Sequence, residues 1–125
     1  MKAPLLICAV LLLCACSAEV VRQPAELRKV PGGPSVIEVS KQVKFTLATG
    51  YDRTVAAGSR WRAMGQLPAG IAYKPVNGVL TVEGAHVHEA WLVLDGSRLV
   101  GFYLPADNAF SPLNPVQIES IKREE

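Results

Sequence analysis

After residue 35 the apolar side chains recur at every second position, a spacing that fits a β-strand and not a helix. In the first such stretch the apolar positions are Ile37, Val39, Val43, Phe45 and Leu47. Polar residues alternate with them, as in a strand with one face in water. Trp61, Ala63 and Leu67 repeat the pattern after Gly58, which predicts a second strand. Lys41 interrupts the first stretch and indicates a sheet edge or a bulge.

The dipeptide Asn77-Gly78 separates two apolar stretches, residues 71–76 and 79–83. Both residues of this dipeptide tolerate positive φ, as the type I′ turn of a two-residue hairpin requires. We therefore predict a β-hairpin here, in which the cross-strand pairs are Tyr73 with Val82 and Pro75 with Leu80. Because proline has no N–H to donate, its strand is predicted to be an edge strand or an interrupted one.

A second hairpin is predicted between residues 86–94 and 98–104. With Gly96-Ser97 as a type II′ loop, the cross-strand pairs are Asp95 with Arg98, Leu94 with Leu99 and Trp91 with Phe102. With Asp95-Gly96 as the loop, Val93 would instead lie opposite Arg98. The first register pairs like with like and is therefore preferred. A last short strand is predicted over residues 116–121, before a charged C-terminal tail.

The spacing of these strands and their turns predicts an all-β fold. No segment after residue 35 keeps a helical period over three turns, and glycine or proline punctuates the chain between the apolar stretches. We expect a small antiparallel barrel or sandwich of about six strands. The 125 residues suffice for a single domain of this kind.

Charge and cysteine content exclude several classes of function. The chain has 13 Lys and Arg against 11 Asp and Glu, without the basic surplus that a nucleic-acid partner requires. The three cysteines are Cys8, Cys14 and Cys16, so the sequence after residue 16 contains no cysteine. Disulfides, zinc–thiolate sites and cysteine nucleophiles are therefore excluded from the domain.

The amino terminus has the organisation of a secretory signal peptide. Lys2 supplies a positive charge, and residues 5–13 form an apolar run that ends before small residues. A run of this length is too short to cross about 30 Å of hydrocarbon as a helix. The pattern therefore predicts export rather than a membrane span.

The residues Leu13-Cys14-Ala15-Cys16-Ser17 resemble the lipobox of bacterial lipoprotein precursors. In that family a peptidase cleaves before the modified cysteine, and Cys16 alone among the three has small residues before it. The resemblance implies an N-terminal Cys16 carrying acyl chains, which anchor a protein stably when two or more are present. Ser17, which is not Asp, implies sorting to the outer membrane of a Gram-negative host. The alternative is ordinary cleavage after Ala18, which gives a soluble periplasmic protein.

These features predict three segments in the chain. Residues 1–15 form the lipoprotein signal peptide, and residues 16–34 form a flexible lipidated tether. The tether is inferred from its mixed charge, its lack of periodicity and its breakers, which are Pro24 and the turn cluster at residues 31–34. Residues 35–125 form the single β-rich domain.

Two constellations carry candidate chemistry. Arg60 and Arg62 are predicted to share one strand face, where they could bind a carboxylate, phosphate or glycan. Trp61 could add stacking if exposed, and alternatively is a core residue. His86 and His88 lie two apart on a strand, so both imidazoles could face one metal, with a third ligand from elsewhere. The alternative is a pair of solvated or hydrogen-bonded histidines.

The sequence contains no motif for nucleophilic catalysis and no phosphate-binding glycine loop, so we expect neither an enzyme nor a cofactor. The function expected is that of a non-catalytic binding or assembly module, anchored by lipid to the periplasmic side of the outer membrane. Its partner would be another envelope protein or the cell wall. Alternatives are an inhibitor or exclusion lipoprotein, or a metal-binding protein that uses His86 and His88.

Overall fold

The computed structural model describes residues 18–124, and within them the chain forms eleven strands and no helix. The strands are β1 (Gln23–Pro24), β2 (Val36–Val39), β3 (Val43–Thr46), β4 (Asp52–Val55), β5 (Ser59–Leu67), β6 (Gly70–Pro75), β7 (Leu80–Glu83), β8 (Val87–Asp95), β9 (Arg98–Leu104), β10 (Ala109–Gln117) and β11 (Ile121–Glu124). Consequently, this range holds no helix with the length and apolar character needed to cross a bilayer.

Nine of these strands form one antiparallel sheet, in the order β1-β10-β9-β8-β6-β5-β2-β11, with β7 beside β8. The β3–β4 hairpin forms a separate two-stranded sheet. Strands β1 and β11 end the large sheet without pairing to each other, so it is not closed into a barrel. The predicted all-β class is confirmed, and of the two predicted architectures the sandwich-like one fits.

The predicted count of about six strands is too low, because β1, β4 and most of β10 were not predicted and one alternating stretch is two strands. Residues 40–42 separate β2, which pairs with β5, from β3, which pairs with β4 in the other sheet. The alternation continues across the break, so periodicity alone does not reveal it. Lys41, predicted to mark an edge or a bulge, lies where the chain leaves the large sheet.

The predicted hairpin at Asn77-Gly78 is wrong. Strands β6 and β7 do not pair with each other, but lie one after the other along the same edge of β8. Tyr73 lies opposite Leu92, and Val82 lies opposite His88. Only Gly78 of the dipeptide has a positive φ, so the type I′ turn does not form. The chain instead continues beside β5 after β6, where the Val76 N–H donates to the Arg60 carbonyl oxygen at 2.9 Å.

The second predicted hairpin is confirmed at its turn. Asp95 pairs with Arg98 and Leu94 with Leu99, and Gly96 has the positive φ that a type II′ turn places there. A bulge then shifts the register by one residue. Trp91 consequently lies opposite Tyr103, and the predicted pairing of Trp91 with Phe102 is wrong.

The C-terminal prediction is also wrong in its bounds. Residues 116 and 117 complete β10, whereas the expected tail pairs with β2 as β11. Strand β10 continues through Pro112 and Pro115. These prolines do not need to donate a hydrogen bond to β1, because β1 pairs with only the first two residues of β10. Beyond β1 the outer edge of β10 has no strand partner among the described residues, and prolines are tolerated at such an edge.

The large sheet buries side chains on both of its faces. The main core lies between one face and the β3–β4 hairpin, and includes Ile37, Phe45, Val55, Leu92 and Phe102. A smaller outer cluster lies on the opposite face and consists of Leu67, Ala72, Val93 and Tyr103. Strand β5 contributes side chains to both clusters because a bulge at Met64 reverses its alternation. Trp61 and Ala63 before the bulge face the main core, and Leu67 after it faces the outer cluster.

The N-terminal strap, residues 18–30, is attached to this sheet along its length. Val20 is buried in the main core, and residues 23 and 24 pair with β10 as β1. Leu27 then packs on the outer cluster, and Arg28 forms a bridge with Gln66 of β5. The expected flexible tether is therefore wrong for residues 18–30, because local proline and glycine content does not reveal docking on a distant strand.

Candidate functional site

Trp61 is a core residue and not part of a binding face. Its side chain is 5% exposed, and its indole N–H donates to the Ser59 hydroxyl oxygen at 2.9 Å. The alternation of β5 directs it into the main core between two outward-facing arginines. The condition for ligand stacking, an exposed Trp61, is therefore not met, and the alternative of a core residue is confirmed.

Arg60 is already neutralised within the fold. Its guanidinium donates to both carboxylate oxygens of Glu124 at 2.7 and 2.5 Å, across the intervening strand β2. This hydrogen bonding lowers the pKa of Glu124 and raises that of Arg60. The pair joins the terminal strand β11 to β5. The positive charge of Arg60 is therefore balanced by Glu124 within the fold.

Arg62 has a different environment, although it is only two residues away. It is exposed, and its neighbour in the β5–β6 register is another exposed cation, Lys74. Among residues 18–124, neither of them forms an ion pair with an acid. Like charges directly opposite each other on a sheet are destabilising, so this juxtaposition opposes folding.

Two aromatic side chains extend this pair of cations across the sheet. The Lys74 Nζ lies 5.8 Å from the centre of the Trp91 ring, within the range of a cation–π interaction. Trp91 in turn lies 5.4 Å from the Tyr103 ring, its cross-strand neighbour. We call Arg62, Lys74, Trp91 and Tyr103 the cation–aromatic row. It runs across β5, β6, β8 and β9 on the face opposite the main core.

The inner end of the row is rigidly held. The Tyr103 hydroxyl donates to the Asn108 side-chain oxygen at 2.7 Å, and burial raises the Tyr103 pKa. Trp91 is half-buried against the outer cluster. Of the row, sequence reasoning identified only Arg62, because the alignment of Lys74 with Trp91 depends on the pairing of β6 with β8. A correct prediction of that pairing would have found it.

The two histidines contact different acidic residues. His86 precedes β8 and is exposed, with its Nε2 4.0 Å from a carboxylate oxygen of Glu19. His88 lies within β8, and its Nδ1 is 3.1 Å from a carboxylate oxygen of Asp107, which also pairs with Arg22 at 3.4 Å. In the described part of the chain, no three His, Cys, Asp or Glu side chains are grouped to hold a metal ion. The third ligand that a metal site requires is therefore not found there.

A cleft of about 580 Å³ opens between the strap, the β3–β4 turn and β10. Its apolar floor is formed by Val20, Leu47, Phe102 and Leu113, and the buried Ser111 supplies a polar group. Sequence reasoning missed this cleft because one of its walls belongs to the strap. Its apolar lining suits hydrocarbon or an apolar side chain better than a charged ligand.

Cys16 and the lipobox lie outside the described residues. The remaining candidate features are the cation–aromatic row, which is open and cationic at one end, and the cleft, which is apolar. The chain matches no family model, no curated protein and no solved structure.

Proposed function

We propose that this chain is a non-catalytic binding module of the bacterial envelope that recognises an acidic partner through the cation–aromatic row. In this proposal Cys16 carries the lipid anchor, and the domain lies on the periplasmic side of the outer membrane. The partner is an envelope protein or a cell-wall component with carboxylate or phosphate groups. The observation that carries the proposal is that the cations Arg62 and Lys74 are adjacent and form no ion pair with any acid in residues 18–124.

The contrast with Arg60 supports this assignment. The same strand supplies one arginine with a bidentate carboxylate partner and places the next outward-facing arginine beside a lysine. Cross-strand side chains lie about 5 Å apart at Cβ, so the second arrangement concentrates positive charge. An acid from a partner would relieve this repulsion and gain charge-assisted hydrogen bonds.

Trp91 gives this end of the row its shape. Its ring lies beside the Lys74 ammonium and restrains a side chain that is otherwise among the most flexible in proteins. Because Trp91 packs on buried Tyr103, the platform itself is also fixed. A preorganised cation loses less conformational entropy when it binds, which favours the row as a recognition surface.

Photo-crosslinking in the native host tests the proposal. A photoreactive amino acid replaces Met64, which is 42% exposed and lies two residues from Arg62. We expect one abundant envelope adduct, reduced about tenfold or more by the Arg62→Ala, Lys74→Ala double variant. This estimate corresponds to the loss of about 1.4 kcal/mol of binding free energy.

The matched control is Arg98→Ala, which removes an exposed arginine at the β8–β9 turn, where Asp95 is its cross-strand partner. This variant should leave the adduct yield unchanged. An adduct that persists in the double variant, or that weakens equally in the control, would contradict recognition by the cation–aromatic row.

A further inference from the structure

The chain is docked from the first residue that the structure describes. The Ala85 N–H donates to the Ala18 carbonyl oxygen at 3.1 Å. Two residues later, Val20 is buried in the main core. A β-carbon added to Gly84 would collide with the Ala18 carbonyl, which shows how closely the two segments approach. The N-terminal end of the strap is therefore fixed beside the segment of residues 84–86.

This docking restricts how far the domain can lie from a lipid on Cys16. Two Cα–Cα steps separate Cys16 from Ala18, a reach of about 7 Å in extended chain. The headgroup region adds only about 5–7 Å to each side of the hydrocarbon layer. An anchor at Cys16 therefore brings residues 84–86 to the headgroup region, without a long spacer between lipid and domain.

The surface around this point carries exposed apolar side chains beside the exposed pair of His86 and Glu19. Within residues 18–124, five large hydrophobic side chains are exposed, and they include Val21 at 58% and Val87 at 65%. Val87 lies opposite Glu83, which lines the cleft together with Val21 and the β3–β4 turn. Tyr51, a third member of the five, lies at that turn and its carbonyl oxygen accepts from the Leu47 N–H. We call Val21, Tyr51, Val87 and the mouth of the cleft the anchor face.

We propose that the anchor face lies directly on the lipid bilayer, with Val21, Tyr51 and Val87 in contact with lipid. This inference rests on the proposed lipidation of Cys16 and adds an orientation for the domain. Apolar side chains enter the boundary between headgroups and acyl chains, and tyrosine is favoured at that depth.

The charges near the anchor face are consistent with contact through apolar groups. Glu83 is paired with Arg53 at 2.8 Å, and Asp107 is paired with Arg22 at 3.4 Å. Glu19 likewise lies 4.0 Å from His86. Acids and bases at this end of the domain thus occur together, and residues 18–124 form no concentrated basic patch there that would select anionic lipid. Zwitterionic phosphatidylcholine should therefore be sufficient for the contact.

Fluorescence quenching in vesicles tests the orientation. The full chain is expressed in a bacterium that processes lipoproteins, and the membrane form is reconstituted in phosphatidylcholine. A Val87→Cys variant carries an environment-sensitive fluorophore, because the lipid blocks Cys16 and removal of the leader takes Cys8 and Cys14. The matched control is Val79→Cys, which is 71% exposed and separated from Glu83 by the length of β7, about 13 Å.

Spin-labelled phosphatidylcholine should quench the fluorophore at position 87 at least threefold more than the fluorophore at position 79. Equal quenching at the two positions, in protein that is labelled by palmitate and bound to vesicles, would overturn the orientation alone. Palmitate labelling that persists in Cys16→Ala, or that is absent from the parent chain, would overturn the lipoprotein proposal and the orientation with it.

Discussion

The two faces of the large sheet bury their side chains in different ways. The main core is covered by the β3–β4 hairpin, which contributes Phe45 and Val55 from a separate sheet. The outer cluster is smaller and is covered by strap residues such as Leu27, which is itself half-buried. The same strands serve both faces, so the difference lies in the covering segments.

The covering segments are attached by different contacts. Arg53 of the hairpin donates through Nε to the Thr81 carbonyl oxygen at 2.9 Å and forms an ion pair with Glu83. These two contacts attach the hairpin to β7. The strap is held by backbone hydrogen bonds at separated points, such as the reciprocal pair between Arg28 and Gln66. We therefore expect the main core to control global unfolding and the strap to open locally.

Phe102→Ala should have the largest effect, because it removes a ring from the centre of the main core. Phe102 is 2% exposed, and its ring lies 5.9 Å from that of Phe45 in the hairpin. Truncation of a buried phenylalanine typically costs about 3–5 kcal/mol of unfolding free energy. Urea denaturation should report this loss, with a smaller one for Phe102→Leu. A loss below about 1 kcal/mol would show that the main core does not control stability.

Gly65→Ala should affect the strap and leave the main core intact. A β-carbon at Gly65 would lie 2.9 Å from Leu27 Cδ2 and 3.0 Å from the Arg28 carbonyl oxygen. Such overpacking typically costs about 1–3 kcal/mol. Because the strap can move away, hydrogen exchange should accelerate at residues 25–30 while amides of Leu92 and Leu94 remain protected. Equal acceleration in both regions would mean that the two faces unfold together.

The parts of the fold predicted from sequence are those governed by local chemistry. The β8–β9 turn follows from Gly96-Ser97 and the flanking pairs, and the structure confirms its register through Leu99. The hairpin predicted from Asn77-Gly78 does not form, because β6 and β7 each pair with the long central strand β8 and not with each other. Tertiary pairing thus overrides turn propensity where a better partner is available.

In the candidate site, too, the features set by local sequence were predicted and the features set by strand pairing were not. Alternation along β5 correctly places Arg60 and Arg62 outward and correctly allows for a buried Trp61. The Glu124 partner of Arg60 and the Lys74 neighbour of Arg62 come from strands distant in sequence. A one-residue change of register would exchange the two faces, so neither neighbour can be derived without knowing the strand order.

Alkaline titration of two tyrosines should give the smallest and most specific signal. Burial raises the pKa of Tyr73 in the main core and of Tyr103 in the outer cluster. The folded protein therefore holds both phenolic protons more tightly than the unfolded chain, whose tyrosine pKa is about 10. Their contribution to stability is complete below about pH 10 and decreases as pH rises above it.

The Gly65→Ala variant converts this titration into a comparison of the two faces. Displacement of the strap should hydrate Tyr103 and lower its pKa towards the ordinary value, whereas Tyr73 beneath the hairpin should titrate as in the parent protein. Nuclear magnetic resonance of ring-labelled tyrosine resolves the two, and Tyr51→Phe removes the third signal. A matching fall in the Tyr73 pKa would show that the strap supports the main core, and the distinction between independent faces would then fail.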